Sequence, residues 1–312
     1  MYNQVASNKA KTVISIFLFL IFICVVGYFI GYYLDYRYGF ESYFSTIILI
    51  AAFIVALISS FTGYYQSDKL VLQMTGAREI SIDKDTRIFY IIEGLSIAAG
   101  IPKPKVYIIE EEGMNAFATG RNPGNSVIVL TRGLVDNLNN EELKGVISHE
   151  ISHIKNYDVL LGTIIVVFVG MLSIASNLIL RGIFFGGTRK SNRKSSGGAF
   201  SLILLILGLI LIILSPLIAT LIRLAISRNR EFLADSNGAL ISRYPAGLAN
   251  ALRKISINSS VKTATSATSH LFISNPLEGE NKPLFSSLFN THPPVEERIR
   301  RLEEMSLGIG IN

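Results

Sequence analysis

The sequence contains one cysteine, Cys24, and this scarcity limits the chemistry that the chain can use. A single cysteine excludes a disulfide within the chain, and Cys24 lies in a long apolar run, which argues against a thiolate metal ligand. A metal site would therefore be built from histidine and carboxylate side chains. Histidine is scarce as well, with four in the whole chain.

Charged residues make up only 17% of the 312 residues, whereas half of the residues are apolar. A soluble globular protein of this length rarely has so few charges. Four long runs contain no charged residue. A helix needs roughly 20 predominantly apolar residues to cross a bilayer. The runs are 13–34, 44–65, 159–180 and 195–222. We therefore predict four transmembrane helices.

The first run is open to a second interpretation, as a secretory signal peptide. Its apolar stretch is longer than the roughly 7–15 residues of a signal peptide, and no clear cleavage site of small residues follows it. We therefore expect a permanent anchor.

The net charge of +6 is open to two interpretations as well, nucleic-acid binding or contact with a membrane surface. The basic residues are spread around the ends of the predicted spans, which favours anionic lipid head groups. We expect the lipid bilayer as a partner and no nucleic acid.

The stretch between the second and third runs predicts a small α+β unit. Its expected elements are a helix at 86–99 and strands at 105–109, 115–120 and 126–131. A further helix is predicted to begin after Asn139, because Glu142 follows three residues later in a capping-box arrangement.

That further helix carries the pattern H-E-x-x-H, formed by His149, Glu150 and His153. Positions i and i+4 share one helix face, so the two imidazoles can bind the same cation while the glutamate serves as general base. A catalytic zinc has three protein ligands and lowers the pKa of water towards about 7. A solvated helix face can carry this pattern by chance, but two of only four histidines fall at the required spacing.

The third ligand has three candidates, namely Glu231, His270 and His292. Glu231 is followed four residues later by Asp235, on the same face of a predicted helix. Asp235 could accept the free ring N–H of a histidine ligand and so fix its orientation. Asn156 and Asp158 follow the first motif, and the sequence leaves open whether they support the metal or only end the helix.

Several separated segments together resemble the HtpX-type membrane zinc metallopeptidases, which are relatives of the CAAX prenyl proteases. The segments are NAFATG, HEISHIKNYD, SRNREFLAD and THPP, and the resemblance covers nearly the whole chain. It implies one zinc ion per chain held by His149, His153 and Glu231, with Glu150 as the general base. More weakly, it suggests Asn115, Ala116 and His292 as substrate-binding residues.

The resemblance also implies a biological setting. The substrates would be membrane proteins or unfolded polypeptides, cleaved in membrane protein quality control. The protein would be a multi-pass protein of the cell (inner) membrane with its site on the cytoplasmic side. The distribution of basic residues supports that side only modestly, because the link between the third and fourth runs is itself basic. The oligomeric state is not predicted.

The expected fold class is a mainly α integral membrane protein with four transmembrane helices and a zincin-like α+β catalytic domain that has a small β-sheet. Residues 1–65 and 158–222 would form two transmembrane hairpins, and residues 66–157 and 223–312 the two parts of the catalytic domain. Continuous helices from the spans would hold the metal about 10 Å from the hydrocarbon edge.

Alternative functions remain open from the sequence. One is a peptidase restricted to prenylated C-terminal peptides, although four spans offer little material for a large chamber. The other is a non-catalytic metal-binding scaffold, which would have no need for Glu150. Cobalt or manganese also suits two histidines and a carboxylate.

Overall fold

The computed structural model describes residues 2–171, 227–265, 267–277 and 293–308. This part of the chain is mostly helical and contains one small mixed sheet. Three features of the sequence analysis lie outside the described residues: the fourth predicted span at 195–222, the third span beyond Met171, and His292.

Two long apolar helices begin the chain, α1 at Tyr2–Tyr38 and α2 at Tyr43–Thr75. Both are long and apolar enough to cross a membrane, in agreement with the first two predicted spans. Asp35 joins them, because its carboxylate accepts hydrogen bonds from the backbone N–H groups of Phe44 at 2.7 Å and Ser45 at 2.8 Å. A negative charge at this position also suits the positive end of α2.

The sheet has four strands in the order β1-β2-β4-β3, with β2 and β4 parallel and the other pairs antiparallel. The strands are β1 Arg78–Glu79, β2 Lys105–Ile109, β3 Ala116–Asn122 and β4 Asn125–Thr131. The three longer strands confirm the predicted ones. β1 was not predicted, because its two exposed residues carry no apolar alternation.

Three helices accompany the sheet, α3 at Thr86–Ala99, α4 at Arg132–Asn137 and α5 at Asn140–Lys155. The predicted capping box at the start of α5 is confirmed. Asn139 accepts from the backbone N–H of Glu142 at 2.9 Å, while the Glu142 carboxylate accepts from the backbone N–H of Asn139 at 2.8 Å. Both interactions use N–H groups that the helix itself leaves unpaired.

Helix α6, Asp158–Met171, follows α5 after a two-residue break and is bent by 82° relative to it. Tyr157, in the break, has a φ of 60°, a left-handed conformation that is uncommon for a residue with a side chain. The expectation of a helix running straight from the motif into the third span is therefore wrong. If α5 and α6 together count as one broken span, the described residues contain three candidate spans.

The remaining helices are α7 at Arg228–Ser242, α8 at Pro245–Ile255 and α9 at Val295–Ser306, with a short 3-10 turn at Ser269–Leu271. Helix α5 is buried among α3, α7, α8 and the sheet. Glycines on α5 and α7 allow close contacts between the helices. A Cβ atom on Gly145 would lie 2.5 Å from the backbone nitrogen of Leu248, and one on Gly238 would lie 3.0 Å from that of His149. Gly238 thus brings α7 directly against the helix that carries the motif.

Candidate metal centre

Three side chains converge between α5 and α7. The Nε2 atoms of His149 and His153 lie 3.1 Å apart, one helical turn along the same face of α5. Glu231, in the first turn of α7, places its carboxylate oxygens 3.6 Å from Nε2 of His153 and 3.9 Å from Nε2 of His149. One potential ligand atom of each residue lies within 4.8 Å of the others. The structure thus brings His149, His153 and Glu231 together.

Each histidine faces a carboxylate on its far side. Nδ1 of His149 lies 2.9 Å from Oδ1 of Asp235, and Nδ1 of His153 lies 3.0 Å from Oδ2 of Asp158. An ionised carboxylate only accepts hydrogen bonds, so each Nδ1 carries the ring proton. When both rings are neutral, as metal binding requires, their Nε2 atoms present lone pairs towards each other and towards Glu231. Lone pairs and a negative charge facing one another at these distances fit a bound cation.

The pKa values of the two histidines move in opposite directions. Burial lowers the pKa of His149 to about 4, against the opposing influence of Asp235. Burial also acts to lower the pKa of His153, but the hydrogen bond to Asp158 and the charge of Glu231 outweigh it and raise that pKa to about 9. The centre therefore stabilises one positive charge between the imidazoles and Glu231.

Asp235 is held by Arg298 of α9, which is only 1% exposed. Nε and Nη2 of Arg298 donate to the two carboxylate oxygens at 2.9 and 2.8 Å, and Nη1 donates to the backbone oxygen of Ile273 at 2.9 Å. Burial would raise the pKa of Asp235, but the Arg298 charge and the contact with His149 lower it to about 2. Asp235 is thus a fixed carboxylate behind His149.

Sequence reasoning did not identify Arg298 or assign Asp158. Arg298 stands in a helix with six other charged residues, from Glu296 to Glu304, and nothing in the local sequence distinguishes it from them. The sequence alone does not decide whether Asp158 supports the metal or ends the helix. Its contact with His153 depends on the sharp turn between α5 and α6, which no pattern in the sequence predicted.

Glu150 lies beside the three converging side chains and is 2% exposed. Burial raises its pKa to about 7; the charge of Glu231 acts in the same direction, and that of His153 opposes it. A carboxylate with this pKa can accept a proton and return it near neutral pH. The cavity at Glu150 and the three converging residues is also lined by Ala118 of β3 and by the segment 270–273. It is a cleft between an edge strand and the 3-10 turn.

Asn115 and Ala116, at the start of β3, are buried and bonded within the protein. The Asn115 amide donates to the backbone oxygens of Ser259 at 2.8 Å and Ser274 at 3.0 Å. The backbone oxygen of Ala116 accepts from the N–H of Ile273 at 2.9 Å. The segment around Ile273 therefore occupies the beginning of the free edge of β3. His270, one of the three third-ligand candidates, lines the cleft on the side facing Gly162.

Comparison with known proteins agrees with this geometry. Residues 83–306 match peptidase family M48. A protease HtpX homolog of Dictyoglomus turgidum is 44% identical over 310 residues, covering 97% of this chain and 94% of that protein. A protease HtpX homolog of Thermoanaerobacter pseudethanolicus is 43% identical, covering 98% of both chains.

Among solved structures, the crystal structure of S. mikatae Ste24p matches 89% of this chain with a TM-score of 0.45 and 22% identity, and the chain spans 63% of that protein. The family match covers most of the chain, and the HtpX homologs match it over almost their full length. The chain therefore belongs to peptidase family M48, as a membrane-associated metallopeptidase of the HtpX type.

Proposed function

We propose that His149, His153 and Glu231 hold one Zn²⁺ ion and that Glu150 is the general base of peptide-bond hydrolysis. The observation that carries this proposal is the convergence of two histidine Nε2 atoms and a carboxylate, with a second carboxylate behind each imidazole. Two histidines and one glutamate are a ligand set of catalytic zinc, which keeps a further position open.

The chain's own residues divide the chemistry among them. When bound, zinc supplies Lewis-acid polarisation of the scissile carbonyl and lowers the pKa of water. Glu150 takes the proton from the attacking water and later gives it to the leaving amine, for which a pKa of about 7 is well matched. Asp235 and Asp158 keep the ring protons of His149 and His153 on Nδ1, so that both Nε2 atoms stay available.

The substrate would bind as an extended chain along the free edge of β3, next to Ala118 and opposite the segment 270–273. Asn115 and Ala116 would shape the start of this edge through their bonds to Ser274 and Ile273. His292, at the approach to α9, would stabilise the oxyanion of the tetrahedral intermediate. All three remain proposals for substrate-binding residues.

The membrane setting follows from the same assignment. We place four spans in the chain, as hairpins at 1–65 and 158–222, because an even number of crossings keeps His153 and Glu231 on one side. The two halves of the catalytic domain, 66–157 and 223–312, would lie on the cytoplasmic side of the cell membrane. Juxtamembrane segments of membrane proteins and unfolded polypeptides reach such a centre most readily, which suits protein quality control.

The direct test is Glu150→Gln in the full chain, with zinc content and cleavage of an unfolded membrane protein both measured. We expect zinc to be retained and cleavage to fall by at least a hundredfold, since proton transfer contributes about 10²–10⁴. Asp136→Asn, on the exposed face of α4, is the matched control and should leave both unchanged. Unchanged cleavage in the Glu150 variant would refute the base, and a folded wild type that binds no zinc would refute the centre.

A further inference from the structure

Asn8 is a polar residue in the apolar helix α1, and its side chain is only 2% exposed. Its Nδ2 atom donates to the backbone oxygen of Asn156 at 2.9 Å and lies 2.7 Å from Oδ1 of Asp158, to which it also donates. Its Oδ1 atom accepts from Nη1 of Arg230 at 3.2 Å. A buried amide with these three partners is fully committed to the segments that surround the metal centre.

The partners of Asn8 are the supports of two proposed metal ligands. Asp158 uses its other oxygen, Oδ2, to contact Nδ1 of His153 at 3.0 Å. Arg230 precedes Glu231 in α7, and its Nη1 also lies 3.4 Å from Oδ1 of Asp158. Asp158 therefore links the amide of Asn8 to the His153 imidazole. The same amide contacts Arg230, the residue next to Glu231.

The inner face of α1 changes character along its length in a way that matches this contact. Asn8, Thr12, Ser15 and Phe19 are all at most 3% exposed and follow the spacing of one helix face. The face is polar where it meets the turn after α5. It becomes apolar at Phe19, which stacks on Phe168 of α6 with 4.0 Å between the ring centroids. Apolar packing fixes α1 against α6, and the polar end is then placed at the metal centre.

The turn that Asn8 contacts needs outside support. Tyr157, in its middle, has the left-handed φ of 60°, which is unfavourable for a residue other than glycine. Lys9 of α1 lies over the Tyr157 ring, with 4.4 Å between Nζ and the ring centroid. Asn8 and Lys9 thus hold Asn156, Tyr157 and Asp158 together, which sets the direction of the Asp158 carboxylate.

We propose that Asn8 is a positioning residue of the metal centre, which orients Asp158 and through it the imidazole of His153. The membrane anchor α1 is then part of the support of the metal, not only a tether. Residue 8 lies outside the segment 83–306 that matches the peptidase family. The inference rests on the proposed role of His153 as a ligand, and it adds a contribution from the membrane helix.

The test compares Asn8→Asp with Thr12→Val in the purified full chain. An aspartate has the shape of asparagine, and in its ionised form it donates no hydrogen bond, so both contacts made by Nδ2 are lost. Thr12 is buried on the same face of α1, and its hydroxyl bonds within the helix to the backbone oxygen of Asn8, so Thr12→Val leaves the turn intact. Asn8→Ala removes the same donors without adding charge and replaces Asn8→Asp if that variant does not fold.

Three quantities are measured for each variant: the Zn²⁺ dissociation constant by chelator competition, the visible spectrum of the Co²⁺-loaded protein, and the unfolding temperature of the metal-free protein. We expect the Asn8 variants to bind Zn²⁺ about tenfold more weakly than Thr12→Val and to have an altered Co²⁺ spectrum. A purely structural role would lower the unfolding temperature alone.

One outcome would contradict the role of Asn8, and a different one would contradict the metal centre itself. If the Asn8 variants have a Zn²⁺ dissociation constant within twofold of that of Thr12→Val, and the same Co²⁺ spectrum, the role of Asn8 is overturned while the metal centre stays in place. A folded wild type that binds neither metal would instead overturn the proposed function.

Discussion

Asp235 stands between His149 and Arg298, with Oδ1 2.9 Å from Nδ1 of the histidine and both oxygens bonded to the arginine. One carboxylate thus sets the orientation of an imidazole while being fixed from behind by a buried guanidinium. The pair connects α9, near the end of the described chain, to the metal centre on α5 and α7.

Asp235→Asn should weaken Zn²⁺ binding by about 10- to 100-fold, the range found when a partner of a histidine ligand is removed. An asparagine that accepts from His149 turns its amide towards the Arg298 donors, so it cannot satisfy both neighbours. Chelator competition on the purified chain measures the affinity, with Asp136→Asn as the exposed control. Equal affinity in the two variants would contradict the role of Asp235.

Arg298→Leu should destabilise the protein by about 3–5 kcal/mol, because it leaves Asp235 buried without its counter-charge. Arg300, two residues later, is 59% exposed and pairs with Glu304 at the surface, so Arg300→Leu should cost less than about 1 kcal/mol. Chemical denaturation in detergent micelles gives both free energies of unfolding. A similar small loss in both variants would show that the Arg298–Asp235 pair is not a major source of stability.

Zn²⁺ affinity should depend on pH through His153. In the metal-free protein its pKa is raised to about 9, so it is protonated at pH 7, and a metal must displace that proton. The apparent affinity should therefore rise about tenfold per pH unit from pH 7 and level off above about pH 9. Competition with a chelator of known pH dependence measures this profile. A flat profile between pH 7 and 9 would rule out a proton on His153 as the competitor.

Gly145→Ala should weaken the contact between α5 and α8, because the added Cβ would lie 2.5 Å from the backbone nitrogen of Leu248. We expect a loss of about 1–3 kcal/mol in the free energy of unfolding, as for overpacked cores. Gly94→Ala, also within a helix, meets nothing within 4 Å and should be neutral or stabilising by up to about 1 kcal/mol. Thermal unfolding of the two variants is the comparison, and no difference between them would contradict the close approach of these helices.

The sequence predicted those parts of the fold that depend on local patterns. The two N-terminal spans, the three longer strands and the start of α5 at Asn139 follow from apolar runs, alternation and capping chemistry. The pairing of His149 with His153 follows from helical spacing alone. The choice of Glu231 as the third ligand also required the family resemblance, because His270 and His292 have side chains that can bind a metal equally well.

The supports of the site could not be predicted in the same way. Asn8 contacts Arg230 across 222 positions of sequence and Asp158 across 150, and Arg298 contacts Asp235 across 63. Such contacts are set by the packing of α1, α7 and α9 around α5, and each residue alone resembles an ordinary helix-end or surface residue. The turn at Tyr157 is equally hidden, because a tyrosine gives no local signal for a left-handed conformation.

The bend of 82° between α5 and α6 changes how depth in the membrane bears on the reaction. With α6 along the bilayer normal, the axis of α5 runs nearly parallel to the plane of the bilayer. His149 and His153 are separated by about 6 Å along α5, but their heights above the lipid then differ by only about 1 Å. A polypeptide lying parallel to the membrane meets both at one level, and a small vertical shift moves it away from both together. Cleavage would therefore depend more steeply on the distance between the substrate bond and the bilayer than it would if α5 stood upright.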